Sequence, residues 1–267
     1  MTAVAVETAA PRTESPYRLG FLRVLRGEVI KLLTLRSTWW SLSITVALAL
    51  AISTLVAFAT RDFPGSPAVL SIVAPIQFTM LVAGILGAIS VTGEYSTGMI
   101  RSSLAAEPRR GVVLLAKPLA VAALLAATAV VTTALSVVAT SLVGGAELDW
   151  ADPVATWIPL AWGVIAMAVF ALIGVGFGFL IRNGGGAISA TVGVLFVLPI
   201  VFSLFTIGGE SWQWLVDASR FLPSSAAMAL TMPEGVEVMT VEMKINLLSP
   251  ALGDRLVAEG RVLRAGR

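Results

Sequence analysis

The sequence predicts an all-α, polytopic helical membrane protein with five transmembrane helices, and three observations carry that prediction. Of 267 residues, 57% are apolar and only 13% charged, against roughly 45–50% and about 25% in soluble domains; the mean hydropathy is +0.91. Charged residues gather in short clusters separated by long uncharged runs. Cysteine and histidine are absent, which excludes disulfides, thiolate or imidazole metal ligands, and Cys/His or Ser/His/Asp catalysis.

Residues 1–17 are read as a disordered tail, and residues 18–37 as a cytoplasmic interfacial helix. In that helix Leu19, Leu22, Val29 and Leu33 form an apolar stripe with Arg23 and Lys31 away from it, while Arg18 and Arg26 blur the pattern. Two readings stay open. The segment is either a helix lying at the inner membrane surface, its cations near anionic lipids, or a solvated basic lead-in that only sets topology.

The transmembrane domain is placed at 38–209. Ser37 to Thr60 is an uncharged run of 24 residues, long enough at about 1.5 Å per residue to exceed the roughly 30 Å hydrocarbon core. Further uncharged runs extend from Phe63 to Gly93, Pro118 to Ala146, Pro153 to Ile181 and Asn183 to Gly209. They predict spans near 38–60, 68–92, 118–143, 154–181 and 187–208. A charge at a helix centre costs roughly 2.5–3.5 kcal/mol on insertion scales, so five charge-free runs point to lipid as the solvent. Ala57-Phe58-Ala59 faintly resembles a signal-peptidase site, but the preceding apolar run is far longer than a signal h-region of about 7–15 residues and reads as a retained anchor.

Basic residues set the orientation. Arg12, Arg18, Arg23, Arg26, Lys31 and Arg36 precede the first span, Arg101, Arg109, Arg110 and Lys117 follow the second, and Arg182 follows the fourth. The alternate connections hold only Arg61, Arg220 and Lys244, and lean acidic through Glu147, Asp149, Asp152, Glu210, Asp217, Glu234, Glu237 and Glu242. The expected location is the plasma (inner) membrane with a cytoplasmic N-terminus. Such clusters encode topology, not nucleic-acid binding.

The connection from Gly93 to Lys117 exceeds the roughly 2–8 residues that join packed helices. Glu94, Ile100, Arg101, Leu104 and Glu107 are read as sharing a short helix that Pro108 ends. It is either a transverse helix that docks into a soluble partner or a solvated loop whose arginines set topology.

Two segments carry a family resemblance. Gly27 to Trp40, Gly-Glu-Val-Ile-Lys-Leu-Leu-Thr-Leu-Arg-Ser-Thr-Trp-Trp, and the stretch from Glu94 to Gly111 resemble the permease subunits of ABC-2 type exporters, over about residues 20 to 250. Glu94, Tyr95, Thr97, Gly98, Arg101, Leu104, Pro108 and Arg109 match that family's pattern, whereas Ser96 and Met99 depart from its commoner Arg and Thr. The resemblance implies a six-helix membrane domain used as a dimer, with Glu94 to Arg109 as the ATPase-coupling interface and an interfacial arm bearing Glu28, Lys31 and Arg36. It implies as partners an ABC ATPase subunit, a second permease copy or sister permease, and membrane lipids. The chain has no Gly-x-x-x-x-Gly-Lys-Ser/Thr phosphate loop. It is therefore expected to be no enzyme and to hold no cofactor, with ATP used by the partner.

Gly174 and Gly178 have the small-x-x-x-small spacing of closely packed membrane helices; the facing helix belongs either to the same chain or to a dimer mate. Gly184 to Gly186 are read as a tight cytoplasmic turn. Residues 210–250 are read as an extracytoplasmic segment. Trp212, Trp214 and Phe221 either anchor span five at the interface or, by the resemblance, belong to short re-entrant helices.

The family ends with a sixth span after a Leu-Ser-Pro stretch. Here Leu248-Ser249-Pro250 leads into an atypical charged tail, 251–267, whose Asp254, Arg255, Glu259, Arg261, Arg264 and Arg267 would cost well over 10 kcal/mol to insert. A truncation or reading-frame change after Pro250 is the expectation. The expected function is that of an ABC-2 type exporter's membrane subunit. The rivals are a secondary transporter, which would need ionisable residues within its spans, and a membrane scaffold.

Overall fold

The computed structural model describes residues 20–62, 68–106, 109–143, 148–205 and 213–231. The expectations for 1–17, Leu19, Glu107, Pro108, Glu147, Trp212 and everything from 232 onward, including the tail, lie outside the described residues. Within them the architecture is all-α and no strand occurs.

The helices run α1 (Phe21–Thr34), α2 (Arg36–Thr60), α3 (Ala68–Val73), α4 (Ile76–Thr97), α5 (Met99–Ala106) and α6 (Arg110–Leu142), then, after a π-helical turn at Pro153–Trp157, α7 (Ile158–Ile181). They continue with α8 (Gly184–Val192), a second π-helical turn at Gly193–Val197, α9 (Leu198–Leu204), α10 (Gln213–Ser219) and α11 (Pro223–Thr231). Five stretches are long and apolar enough to cross a bilayer: Arg36–Thr60, Ala68–Thr97, Gly111–Leu142, Pro153–Ile181 and Gly184–Leu204. The chain is a multi-pass membrane protein.

The exposed surface is itself apolar. Leu55, Leu115, Leu142, Leu180 and Leu204 stand clear of the bundle, as side chains facing acyl chains should when lipid replaces water.

The α3–α4 stretch is the centre of the bundle, with 56% of its apolar window buried against 17–39% for the other four spans. Its partner is α7, and the approach is set by missing side chains. A Cβ on Gly174 would strike the Gly84 backbone, one on Gly87 would strike the Ala171 carbonyl, and one on Gly178 would meet Val91 and the Ala88 carbonyl. Dispersion between closely approached backbones substitutes for a hydrophobic drive that lipid does not provide. The described structure thus turns Gly174 and Gly178 toward a helix of the same chain. Met80, Phe170, Leu125 and Leu195 fill the core around this seam. Between α2 and α6, Ser53 Oγ donates to Ser136 Oγ at 3.2 Å.

Three boundaries differ from the sequence reading. Glu94 does not share a helix with Arg101: α4 runs on to Thr97, where Gly98 ends it in the left-handed region (φ 73°), its N–H donating to the Tyr95 carbonyl. That conformation costs glycine little and other residues more, so Gly98 is the hinge from which α5 departs. Next, α6 begins at Arg110 rather than near 118 and carries Lys117 and Pro118 inside the helix. Finally, Gly184–Gly186 form no turn of their own: Arg182 (φ 55°) closes α7, and Asn183 caps α8 by accepting from the Gly186 N–H at 3.0 Å. A glycine run tolerates the helix once a cap satisfies its first donors.

Beyond the fifth span, α11 lies against α7 and α4 with Ala227 in the main core, while Trp214 and Phe221 are exposed.

Candidate functional site

The site grows from α1. Its bundle-facing side is Leu25, Glu28, Val29 and Leu32, packed on the core, while Leu22 and Leu33 of the sequence-predicted stripe are exposed. The helix therefore has two apolar stripes with different partners. One packs on the bundle, principally on α6, and the other is free for an interface. Leu35, in extended conformation, separates α1 from α2, and the Trp39 indole N–H crosses the break to donate to the Leu33 carbonyl at 2.8 Å.

Where α1, α4 and α6 meet, four charged side chains close a ring. Lys117 Nζ on α6 lies 2.6 Å from Glu28 Oε2 and 2.9 Å from Glu94 Oε1. Lys31 Nζ lies 2.7 Å from Glu28 Oε1 and 3.1 Å from the same Glu94 Oε1. Lys31 also donates to Ser103 Oγ of α5 at 3.3 Å. Four helices are thus joined through two carboxylates and two ammoniums that sum to zero charge.

Burial decides what the ring is worth. The side chains of Lys117, Glu28 and Glu94 are 4, 5 and 7% exposed, and that of Lys31 35%. Ions taken out of water lose several kcal/mol each, repaid only when opposite charges and hydrogen bonds surround them. At Glu28 burial acts against the charged carboxylate, yet the Lys117 charge and hydrogen bond, with those of Lys31, outweigh it and hold the carboxyl below its ordinary value. At Lys31 burial acts against the ammonium, and the bonds and charges of Glu28 and Glu94 override it and raise its pKa. Both shifts favour the charged forms of Glu28 and Lys31.

Two polar atoms beside the ring are left over. Glu94 Oε2 and Thr38 Oγ1 are buried with no hydrogen-bond partner among the described residues. Both residues line a cavity of about 470 Å³ that also takes in Glu28, Lys31 and Lys117.

The remaining predicted site residues fall into two sets. Glu28, Lys31 and Glu94 come together in the ring, whereas Arg36, Thr97, Gly98 and Arg101 are exposed. Tyr95 is half-buried, with the Arg182 guanidinium 5.7 Å above its ring, which ties the end of α4 to the α7–α8 turn. Leu104 falls within α5, and Arg109 is exposed just before α6. Glu94, expected at the ATPase-coupling interface, is buried inside the chain. In the sequence Lys117 reads as a topology charge just outside the span predicted at 118–143; only the start of α6 at Arg110 places it inside a helix.

No protein-family model matches the chain, and none of the curated proteins matches it.

Proposed function

We propose that this chain is the transmembrane permease subunit of an ATP-driven exporter of the ABC-2 type, moving its substrate across the plasma membrane with ATP hydrolysed by a separate subunit. The observation that carries the reading is the charge ring. The exposed face around Gly98 and Arg101 is the place for a soluble partner to push, and Lys31 bridges α5 to the ring through Ser103. The ring grips α4, which packs backbone to backbone on α7. A push at α5 or α1 therefore has a continuous polar, then close-packed, route into the centre of the bundle. On this reading Glu94 works as a lever inside the protein and not as a contact with the ATPase, and the N-terminus lies in the cytoplasm.

The test is copurification from native membranes. An ATPase is expected to accompany the tagged chain, and its turnover to fall about tenfold on Glu94→Ala or Gly98→Pro, the latter because proline cannot adopt the φ of 73° found there. If no nucleotide-binding subunit comes along, or turnover is indifferent to both changes, the proposal fails.

One observation favours a second reading. Glu94 and Lys117 are buried ionisable residues within span-length helices, as a secondary transporter requires. Both, however, sit near the α5 end of their helices, whereas coupling sites of such carriers lie near the bilayer midplane. Substrate movement in vesicles driven by an ion gradient without nucleotide would decide for the carrier.

A further inference from the structure

Toward the C-terminal end of α6, the contact between α6 and α7 holds a groove shaped by small residues. Val130, Ala134 and Val137 share one face of α6, and Trp157, Ala161 and Val164 share the facing side, at the spacing of successive helical turns. The short side chains of Ala134 and Ala161 leave a cavity of about 420 Å³ with an almost wholly apolar wall, within the size range of pockets that enclose small organic ligands. Both alanines are exposed, and the groove belongs to the apolar surface of two span-length stretches, Gly111–Leu142 and Pro153–Ile181. Trp150 and Trp157 line its end at the α6–α7 connection, their ring centroids 5.3 Å apart, as suits the boundary between hydrocarbon and water.

A second cavity of about 50 Å³ lies behind this groove, between α2, α4, α6 and α7. Thr79, Thr132, Ser136, Gly163 and Met167 contribute to a partly polar wall, and the space admits a few waters. Thr133 and Leu160 line both cavities, so these two side chains form the partition.

Thr133 is set apart from the other threonines of α6. Thr128, Thr132 and Thr140 donate to the Leu124, Thr128 and Val137 carbonyls of their own helix, whereas the Thr133 hydroxyl has no partner among the described residues. The unpartnered oxygens that packing seals off are those of Thr38, Glu94 and Ser224; that of Thr133, on a half-buried residue, stays reachable. Thr133 lies nine residues before Leu142, the end of the helix, or about 13 Å along its axis, which is deep in a hydrocarbon core of about 30 Å. Phospholipid chains offer only hydrocarbon at that depth, and a hydroxyl left unbonded there is costly. Neither cavity has a charged residue among its described lining residues, so a charged group would enter without a counter-ion.

We infer that the α6–α7 groove binds a slender, uncharged, single-chain amphiphile dissolved in the membrane, with its hydrocarbon chain along Ala134 and Ala161 and its one hydroxyl hydrogen-bonded to Thr133. The threonine hydroxyl both donates and accepts, and the pocket behind it has room for water as a further partner of the ligand. Binding is a property of the chain in lipid, read without nucleotide, and it stands or falls separately from any ATPase.

The experiment uses the full chain in phosphatidylcholine nanodiscs and a long-chain alcohol carrying a mid-chain diazirine, photolysed and mapped by mass spectrometry of peptides. Labelling is expected within residues 130–137 and 157–164, displaced by excess oleyl alcohol and not by the same amount of octadecene. Thr133→Val should weaken that displacement about fivefold, the loss of one neutral hydrogen bond, without lowering the melting temperature, since the hydroxyl removed has no partner in the free protein. Ala161→Leu, a change at an exposed position, should fill the groove and abolish labelling there while sparing the background on other helices. The inference is overturned by labelling spread evenly over the lipid-facing helices, by octadecene competing as well as oleyl alcohol, which would make this an ordinary acyl-chain groove, by unchanged affinity in a folded Thr133→Val protein, or by labelling that survives Ala161→Leu.

Discussion

Lys117 Nζ and Glu28 Oε2 stand 2.6 Å apart across 89 residues of sequence, both side chains about 95% out of solvent. Breaking that pair by removing one partner leaves the other buried without its counter-charge. Lys117→Met is therefore expected to destabilise the protein by about 3–5 kcal/mol, and Lys117→Arg by less. Adding Glu28→Gln to Lys117→Met should cost less than the sum of the two single changes. Thermal unfolding in detergent reads all four; an unperturbed Lys117→Met protein would show that the ring does not hold the helices together.

The same ring predicts a stability profile with two limbs. Glu28 has a folded pKa depressed below its unfolded value, so its contribution is complete above the unfolded value and is lost as pH falls through the folded one. Lys31 has a raised folded pKa, so its contribution is complete below the unfolded value and is lost as pH rises through the folded one, in strong alkali. Melting temperature against pH should fall at both extremes. Glu28→Gln should flatten the acid limb and Lys31→Met the alkaline limb; a variant that keeps its limb removes that residue from the account.

Two glycines two positions apart on α7 should respond oppositely. A Cβ on Gly174 meets the Gly84 backbone, while one on Gly176 meets nothing within 4 Å. Gly174→Ala is expected to cost about 1–3 kcal/mol through overpacking, whereas Gly176→Ala should be neutral or gain up to about 1 kcal/mol from reduced backbone entropy. Equal effects at the two positions, read by unfolding, would contradict the described seam.

Ser53 and Ser136 join α2 to α6 by a buried hydroxyl pair. Double-mutant cycles of such bonds in a membrane give about 0.6 kcal/mol. The cycle Ser53→Ala, Ser136→Ala should return a coupling of that size, and zero coupling would mean that the two helices are held by packing alone.

Orientation has its own test. A reporter fused after residue 105, at the end of α5, is expected to remain on the cytoplasmic side, because Arg101 and Arg109 flank it and basic residues are retained there. Detection at the outer surface would invert the proposed topology and with it the site at which an ATPase is expected to act.

The spans were legible because their cause is local. Insertion depends on each segment's own length and charge, so Ser37 to Thr60 announces a crossing with no knowledge of its neighbours, and α2 occupies Arg36–Thr60. Glycine spacing at Gly174 and Gly178 was legible as a packing face for the same reason, whereas the stretch between Gly98 and Arg109 read equally as a short helix or a solvated loop.

What a charged residue does in this fold was not legible from local pattern. Lys117 and Arg109 look alike in a basic cluster, yet Arg109 is exposed while Lys117 lies inside the bundle because α1 packs on α6 and brings Glu28 to it. Likewise Glu94 reads as a surface residue until α4 runs one turn further, to Thr97. Length, charge and hydropathy along the chain determine which segments enter lipid. The pairing of Glu28, Lys31, Glu94 and Lys117, and the unpaired oxygens beside them, depend on distances between segments tens of residues apart, and only tertiary packing sets those.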